Sequence, residues 1–146
     1  MGRAKRRRQL AAALNAIQTE GAGTFQLVII TAAEGAELAL AAACGDAQAE
    51  ACLRAVVGCL RAIPARRPLC LTCETQLSGA LTPGAVVLLS ALRDDIPLTF
   101  VANPVCGDCA GRPGLRDRAI AYYRANVFRD GMRILPGFAP GTPARN

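Results

Sequence analysis

Histidine is absent from this chain, which removes the usual general base of Cys-His and Ser-His-Asp catalysis, although carboxylates or lysine could still do acid/base work. Tryptophan is absent too, and two tyrosines and four phenylalanines are the whole aromatic complement. The core must therefore be built from Ala, Leu and Val, a small-grained and helix-prone set. No Gly-x-Gly-x-x-Gly or Gly-x-x-x-x-Gly-Lys-Ser/Thr phosphate cradle occurs, and Gly21-Ala22-Gly23 alone reads as a loop. The longest apolar region, 25–44, contains Glu34 and Glu37, so a membrane span is not expected. With 52% apolar and 19% charged residues, a wholly disordered chain is excluded as well.

What the chain does have is cysteine in pairs. Cys70-Leu71-Thr72-Cys73 and Cys106-Gly107-Asp108-Cys109 each let a tight turn aim two sulfurs at one ion. The two pairs are separated by 32 residues, enough for a β-hairpin to return the second towards the first. Cys70, Cys73, Cys106 and Cys109 are thus the expected ligands of one tetrahedral zinc; a redox dithiol or disulfide pair is the rival reading. A four-thiolate site leaves no position for substrate, so it predicts a structural metal rather than a reaction. The other three cysteines would exceed the ligand count. Cys52 and Cys59, seven residues apart on an expected helix, read as small packing groups, and Cys44 as a structural residue beside a helix end.

Seven cysteines, an odd number, fit a reducing compartment better than a disulfide scaffold, and a cytoplasmic location is expected. Arg7-Arg8-Gln9-Leu10 loosely resembles a twin-arginine signal, but the apolar stretch after it is short and interrupted by Asn15. A basic lead-in to an amphipathic helix is the preferred reading.

The formal charge of +6 is concentrated. Arg3, Lys5, Arg6, Arg7 and Arg8 supply five of the 17 basic residues, and the remainder nearly balances 11 acids. A cluster of this kind is suited to phosphates and marks the candidate nucleic-acid contact. Arg112, Arg116, Arg118, Arg124 and Arg129 could join it from the last helix, although their different angular positions and Asp117 also suit a solvated face.

Hydrophobic spacing predicts a helix over 10–17, a short buried strand over 25–30, and a helix opened by Thr31 as N-cap with Glu34 three residues on. Gly45 should end that helix and Asp46 should cap the next, whose packed row is Ala49, Leu53, Val56, Leu60 and Ile63, with Pro64 ending the pattern. Pro83-Gly84 marks a turn into strands at 85–89 and 97–102, joined at Asp94-Asp95, which read as a solvated turn. Pro113 is expected to start a helix reaching Val127 and packing Leu115, Ala119 and Tyr122/Tyr123; a strand over 132–135 precedes a Pro/Gly-rich tail.

The arrangement of Cys70/Cys73, a hairpin, and Cys106/Cys109 beside a helix resembles zinc ribbons and treble-clef fingers over about 68–127. The runs Pro-Leu-Cys-Leu-Thr-Cys, 68–73, and 105–113 are also similar to motifs of small uncharacterised bacterial proteins. The resemblance implies a zinc module and supplies no activity. A zinc deaminase is excluded because Pro104-Val105-Cys106-Gly107-Asp108-Cys109 carries one residue too many and no His/Cys-x-Glu unit accompanies it.

The expectation is therefore an α+β protein: an Ala-rich helical N-terminal half, 1–67, followed by a zinc-bound β-hairpin and C-terminal helix, 68–146, as two subdomains or within one compact domain. Its expected role is noncatalytic binding of nucleic acid through the basic tail. The alternatives are an adaptor for a protein partner and, behind it, a thiol oxidoreductase, which lacks the strand-to-helix context of a thioredoxin-like motif. Neither a membrane nor a small-molecule substrate is implied.

Overall fold

The run Thr24–Thr31 holds four consecutive apolar residues, Leu27 to Ile30, in place of the polar alternation of a half-solvated strand. Such a strand needs cover on both faces, and the computed structural model, which describes residues 24–78, 83–93, 96–126 and 133–135, shows that cover. Strand β1, Thr24–Thr31, pairs antiparallel with β2, Ala85–Arg93, from Phe25 opposite Ala91 to Thr31 opposite Ala85. On its other edge it pairs in parallel with the short β4, Arg133–Leu135. Strand β3, Ile96–Val105, returns antiparallel along β2, with an irregularity between Ala91 and Leu92, so the sheet order is β3-β2-β1-β4.

Two helices cover one face. Helix α1 spans Ala32–Ala43 and α2 spans Ala47–Arg66. Thr31 caps α1: its Oγ1 accepts from the Glu34 backbone N–H at 3.4 Å and donates to Glu34 Oε1 at 3.3 Å. The expected box thus closes on the hydroxyl itself. At the far end the N–H of Gly45 donates to Ala42 O and that of Asp46 to Ala41 O, both at 3.1 Å. This double bond requires the left-handed backbone that Gly45 supplies at φ 95°. Asp46 Oδ1 then accepts from the Ala49 N–H at 3.0 Å and opens α2, so the two helices are joined by three residues.

Two expectations for α2 are corrected. The helix does not end at Pro64 but continues to Arg66, closed by the Arg67 N–H on Ile63 O at 2.9 Å. In the last turn a proline forfeits one hydrogen bond without interrupting a longer ladder. The packed row is also rotated: Ala49, Cys52, Val56 and Ile63 are buried, while Leu60 is 40% exposed. Against the Val86 and Leu88 side of the sheet there is room for the small side chains of Cys52 and Cys59, and these carry the row in place of Leu60.

The sheet separates two apolar layers. Val28, Ile30, Val86 and Leu88 pack with Leu38, Ala49, Cys52 and Val56 from α1 and α2. Phe25, Leu27, Val87, Leu89 and Val105 face the other way and pack with Cys70, Leu71, Cys109, Leu115, Ala119 and Tyr123. The second layer is closed by α3, Gly107–Gly111, and α4, Leu115–Asn126. Inside it Asn103 Nδ2 donates to the Tyr123 hydroxyl at 3.0 Å, satisfying two buried polar groups together. Helix α4 begins two residues later than expected from Pro113, because Gly114, at φ 79°, makes Pro113-Gly114 a turn between α3 and α4.

The architecture is mixed α+β. Strand β1, from the N-terminal half, is hydrogen-bonded to β2 from the cysteine-bearing half. The expected helix over 10–17, Gly21-Ala22-Gly23, Asp94-Asp95, Val127 and the tail from 136 lie outside the described residues. No helix among the described residues is long and apolar enough to cross a membrane.

Candidate metal centre

After Arg67, whose backbone turns left-handed at φ 44°, the chain folds into a small hairpin in which Leu69 bridges Gln76. The Leu77 N–H donates to Pro68 O at 2.7 Å, the Cys70 N–H to Thr75 O at 2.8 Å, and the Glu74 N–H to Cys70 O at 3.0 Å. Left-handed Glu74, φ 62°, completes the turn. These bonds close the knuckle that carries Cys70 and Cys73.

The second pair is positioned by the end of β3. Cys106 is the N-cap of α3, its Sγ accepting from the Cys109 N–H at 3.5 Å, and its carbonyl accepts from the Ala110 N–H at 3.0 Å. Both knuckles are then tied to each other through the backbone. The Leu71 N–H donates to Pro104 O at 3.0 Å, and the Cys106 N–H donates to Cys70 Sγ at 3.3 Å.

The four sulfurs of Cys70, Cys73, Cys106 and Cys109 all lie within 4.8 Å of one another, and Cys73 Sγ is 3.7 Å from Cys106 Sγ. Four thiolates at about 2.3 Å from a tetrahedral zinc stand roughly 3.8 Å apart. This spacing is therefore compatible with one zinc-sized ion, and an all-sulfur donor set is of the kind zinc takes.

Electrostatics set up the same centre. Burial opposes ionisation of Cys70, but backbone N–H groups at Cys73 and Cys106 and the Thr72 hydroxyl overcome it and bring the thiol down to about 6. Burial pushes Cys106 up to about 12, with the neighbouring Cys109, Cys70 and Cys73 adding to the rise, and burial also raises Cys109. Cys70 is thus favoured as a thiolate while its neighbours Cys106 and Cys109 resist ionisation, and a cation bound between them would relieve that resistance, since negative sulfurs cannot share so small a volume uncompensated.

Three supporting residues escaped the sequence reading. Thr75 Oγ1 accepts from the Cys73 thiol at 3.1 Å. Gly84 permits the close approach of the second knuckle: a Cβ there would stand 2.6 Å from Ala110 Cβ and 2.9 Å from Gly107 Cα. Pro83-Gly84 announces only a turn in sequence; the contact with residues 107–110 is tertiary. Arg118 donates from Nη2 to Cys109 O at 2.8 Å and Arg112 O at 3.4 Å, and from Nη1 to Pro113 O. It thereby binds the end of α3 to α4. Arg116 donates to Leu27 O at 2.8 Å. Of the arginines that could join the basic cluster from around the last helix, Arg116 and Arg118 are engaged within the fold, and among the described residues Arg112 and Arg124 are exposed.

Cys52 is buried on α2, where burial first and the Asp46 charge second raise its thiol, Cys59 is half-buried, and Cys44 is exposed at the end of α1. None of the three belongs to the four-sulfur cluster. Arg3, Lys5, Arg6, Arg7, Arg8 and Arg129 lie outside the described residues. No protein-family model, curated protein or solved structure matches this chain. The convergence of four cysteines is what defines the site: these residues could bind a metal, consistent with a zinc-binding module.

Proposed function

We propose that the chain is a noncatalytic, zinc-stabilised binding protein of a reducing compartment such as the cytoplasm, with zinc held by Cys70, Cys73, Cys106 and Cys109. The observation that carries this reading is the approach of four sulfurs from two hydrogen-bonded knuckles to within 4.8 Å of one another. With all four tetrahedral positions supplied by the protein, the metal has no open coordination site for a substrate, and its contribution is to hold β3, α3 and the first knuckle together.

The partner class is nucleic acid, bound through Arg3, Lys5, Arg6, Arg7 and Arg8. Support comes from the density of that cluster in sequence and from its chemistry, since lysine and arginine neutralise phosphates without a shaped pocket. Binding to a duplex should be weakly sequence-selective and steeply salt-dependent. If all five side chains contact phosphates, neutralising them should flatten the log-affinity against log-salt plot by roughly 4–5, at about 0.9 per contact. A salt series on the intact chain and on the neutralised variant, with zinc content checked in both, measures this. An unchanged slope, or no binding at low salt, moves the preference to an adaptor that binds a protein partner.

A further inference from the structure

The four sulfurs are not equivalent in access. Cys70 and Cys109 are 1% and 5% exposed and belong to the apolar layer beneath the sheet, whereas Cys73 is exposed and Cys106 half-buried. The two accessible sulfurs come from different knuckles, yet they are 3.7 Å apart. A disulfide requires about 2.05 Å, so an approach of under 2 Å joins them. The rival bonds within each knuckle, Cys70 to Cys73 and Cys106 to Cys109, would each draw on a buried sulfur, and Cys70 Sγ is additionally held by the Cys106 N–H.

We propose that Cys73 and Cys106 are an oxidation-sensitive pair whose cross-knuckle disulfide expels the metal, an inference that rests on the zinc reading above. A peroxide is the oxidant. The exposed Cys73 thiolate attacks one peroxide oxygen, the O–O bond breaks, and a sulfenic acid and hydroxide result. The Cys106 thiolate then attacks Cys73 Sγ and displaces a second hydroxide as the S–S bond forms. Two thiolates are oxidised by two electrons and one peroxide is reduced. Two metal–sulfur bonds are lost in the process, and zinc, left with Cys70 and Cys109 alone, dissociates. Because the knuckles are already joined by the Leu71 N–H to Pro104 O and the Cys106 N–H to Cys70 Sγ, the disulfide replaces the metal as a tie at the same place. A thiol reductant with added zinc reverses the step.

The test uses the full reduced chain. Metal content is measured first; one equivalent of hydrogen peroxide is then added, released zinc is read with a chromophoric chelator, free thiols are alkylated, and disulfide-linked peptides are mapped. The expected result is a peptide joining Cys73 to Cys106 and one zinc released per disulfide. The Cys44→Ser variant, which removes the exposed cysteine outside the cluster, should give the same linkage and stoichiometry. Zinc retained after oxidation, a first linkage within either knuckle, or a linkage through Cys44 that accounts for the zinc loss overturns this proposal and leaves the zinc reading standing. A chain that carries no zinc before oxidant is added overturns both.

Discussion

Cys70 and Cys52 are both buried thiols, and their surroundings give them opposite chemistry. Cys70 receives a backbone N–H and sits beside Thr72, so its thiol is brought down to about 6, whereas Cys52 lies among the apolar side chains of α2 and the sheet and its thiol is raised. The substitution Cys70→Ser should abolish zinc binding and unfold at least the knuckle region. Cys52→Ala should leave zinc content unchanged at a packing cost of about 1 kcal/mol. Metal analysis and thermal melts of the two variants check this, and equal zinc loss in both contradicts the ligand assignment. The same thiols set a pH dependence. At neutral pH the metal-free cluster keeps the protons of Cys106, raised to about 12, and of Cys109, while Cys70 is already largely a thiolate. Zinc must displace the retained protons, so affinity should rise with pH between 7 and 9, with Cys106 and Cys109 alone contributing about two log units per pH unit. Below about 6 the Cys70 proton joins the competition and the dependence steepens. Competition with a chelator of known protonation across this range measures it; a flat profile would contradict protonated Cys106 and Cys109.

Individual elements divide by how far their determinants reach along the chain. The ends of α1 and α2 are legible in the sequence because Thr31 with Glu34, and Gly45 with Asp46, act on backbone groups within three to five residues. The two pairs of the four-sulfur cluster are legible for the same reason, since each Cys-x-x-Cys is a local turn. What could not be read is what the other layer demands. Leu60 matches the helical row as well as its neighbours do, but the sheet beneath takes Cys52 instead; Arg118 looks like a solvated charge and is a bracket for three carbonyls. Gly84 is the sharpest case. A methyl group there meets the Cα of Gly107 as well as the Ala110 side chain, and a backbone atom cannot move aside as a long side chain could. Gly84→Ala should therefore displace α3 from the start of β2, costing about 1–3 kcal/mol by overpacking and weakening zinc binding through the shifted Cys106 and Cys109. Gly58→Ala, with nothing within 4 Å of the added methyl, is the matched control and should be neutral or slightly stabilising on its helix. Urea melts and zinc competition on the pair distinguish a contact at the knuckle from a general effect of replacing glycine.

At the scale of the whole molecule, the two apolar layers differ in what holds them. The layer under α1 and α2 is made mainly of aliphatic and small side chains, with Phe100 packed against it, and includes none of the four clustered cysteines, whereas the opposite layer counts Cys70 and Cys109 among its own buried members. Zinc removal thus takes a support from one face of the sheet and not directly from the other. Residues 68–77 and 104–112, whose hydrogen bonds depend on the two knuckles remaining in register, should lose protection first when a chelator strips the metal. The amides of β1 and β2 are shared by both faces and should exchange more slowly than the knuckles but faster than in the zinc-bound chain. Those of α1 and α2 should change least. Hydrogen exchange followed by peptide, with and without chelator, resolves this order. Simultaneous loss of protection in all elements would mean that the metal is required for the whole fold, as in domains that are unfolded without zinc; no change at 68–77 and 104–112 would mean that the knuckles stand on their hydrogen bonds alone and that the metal contributes nothing to their order.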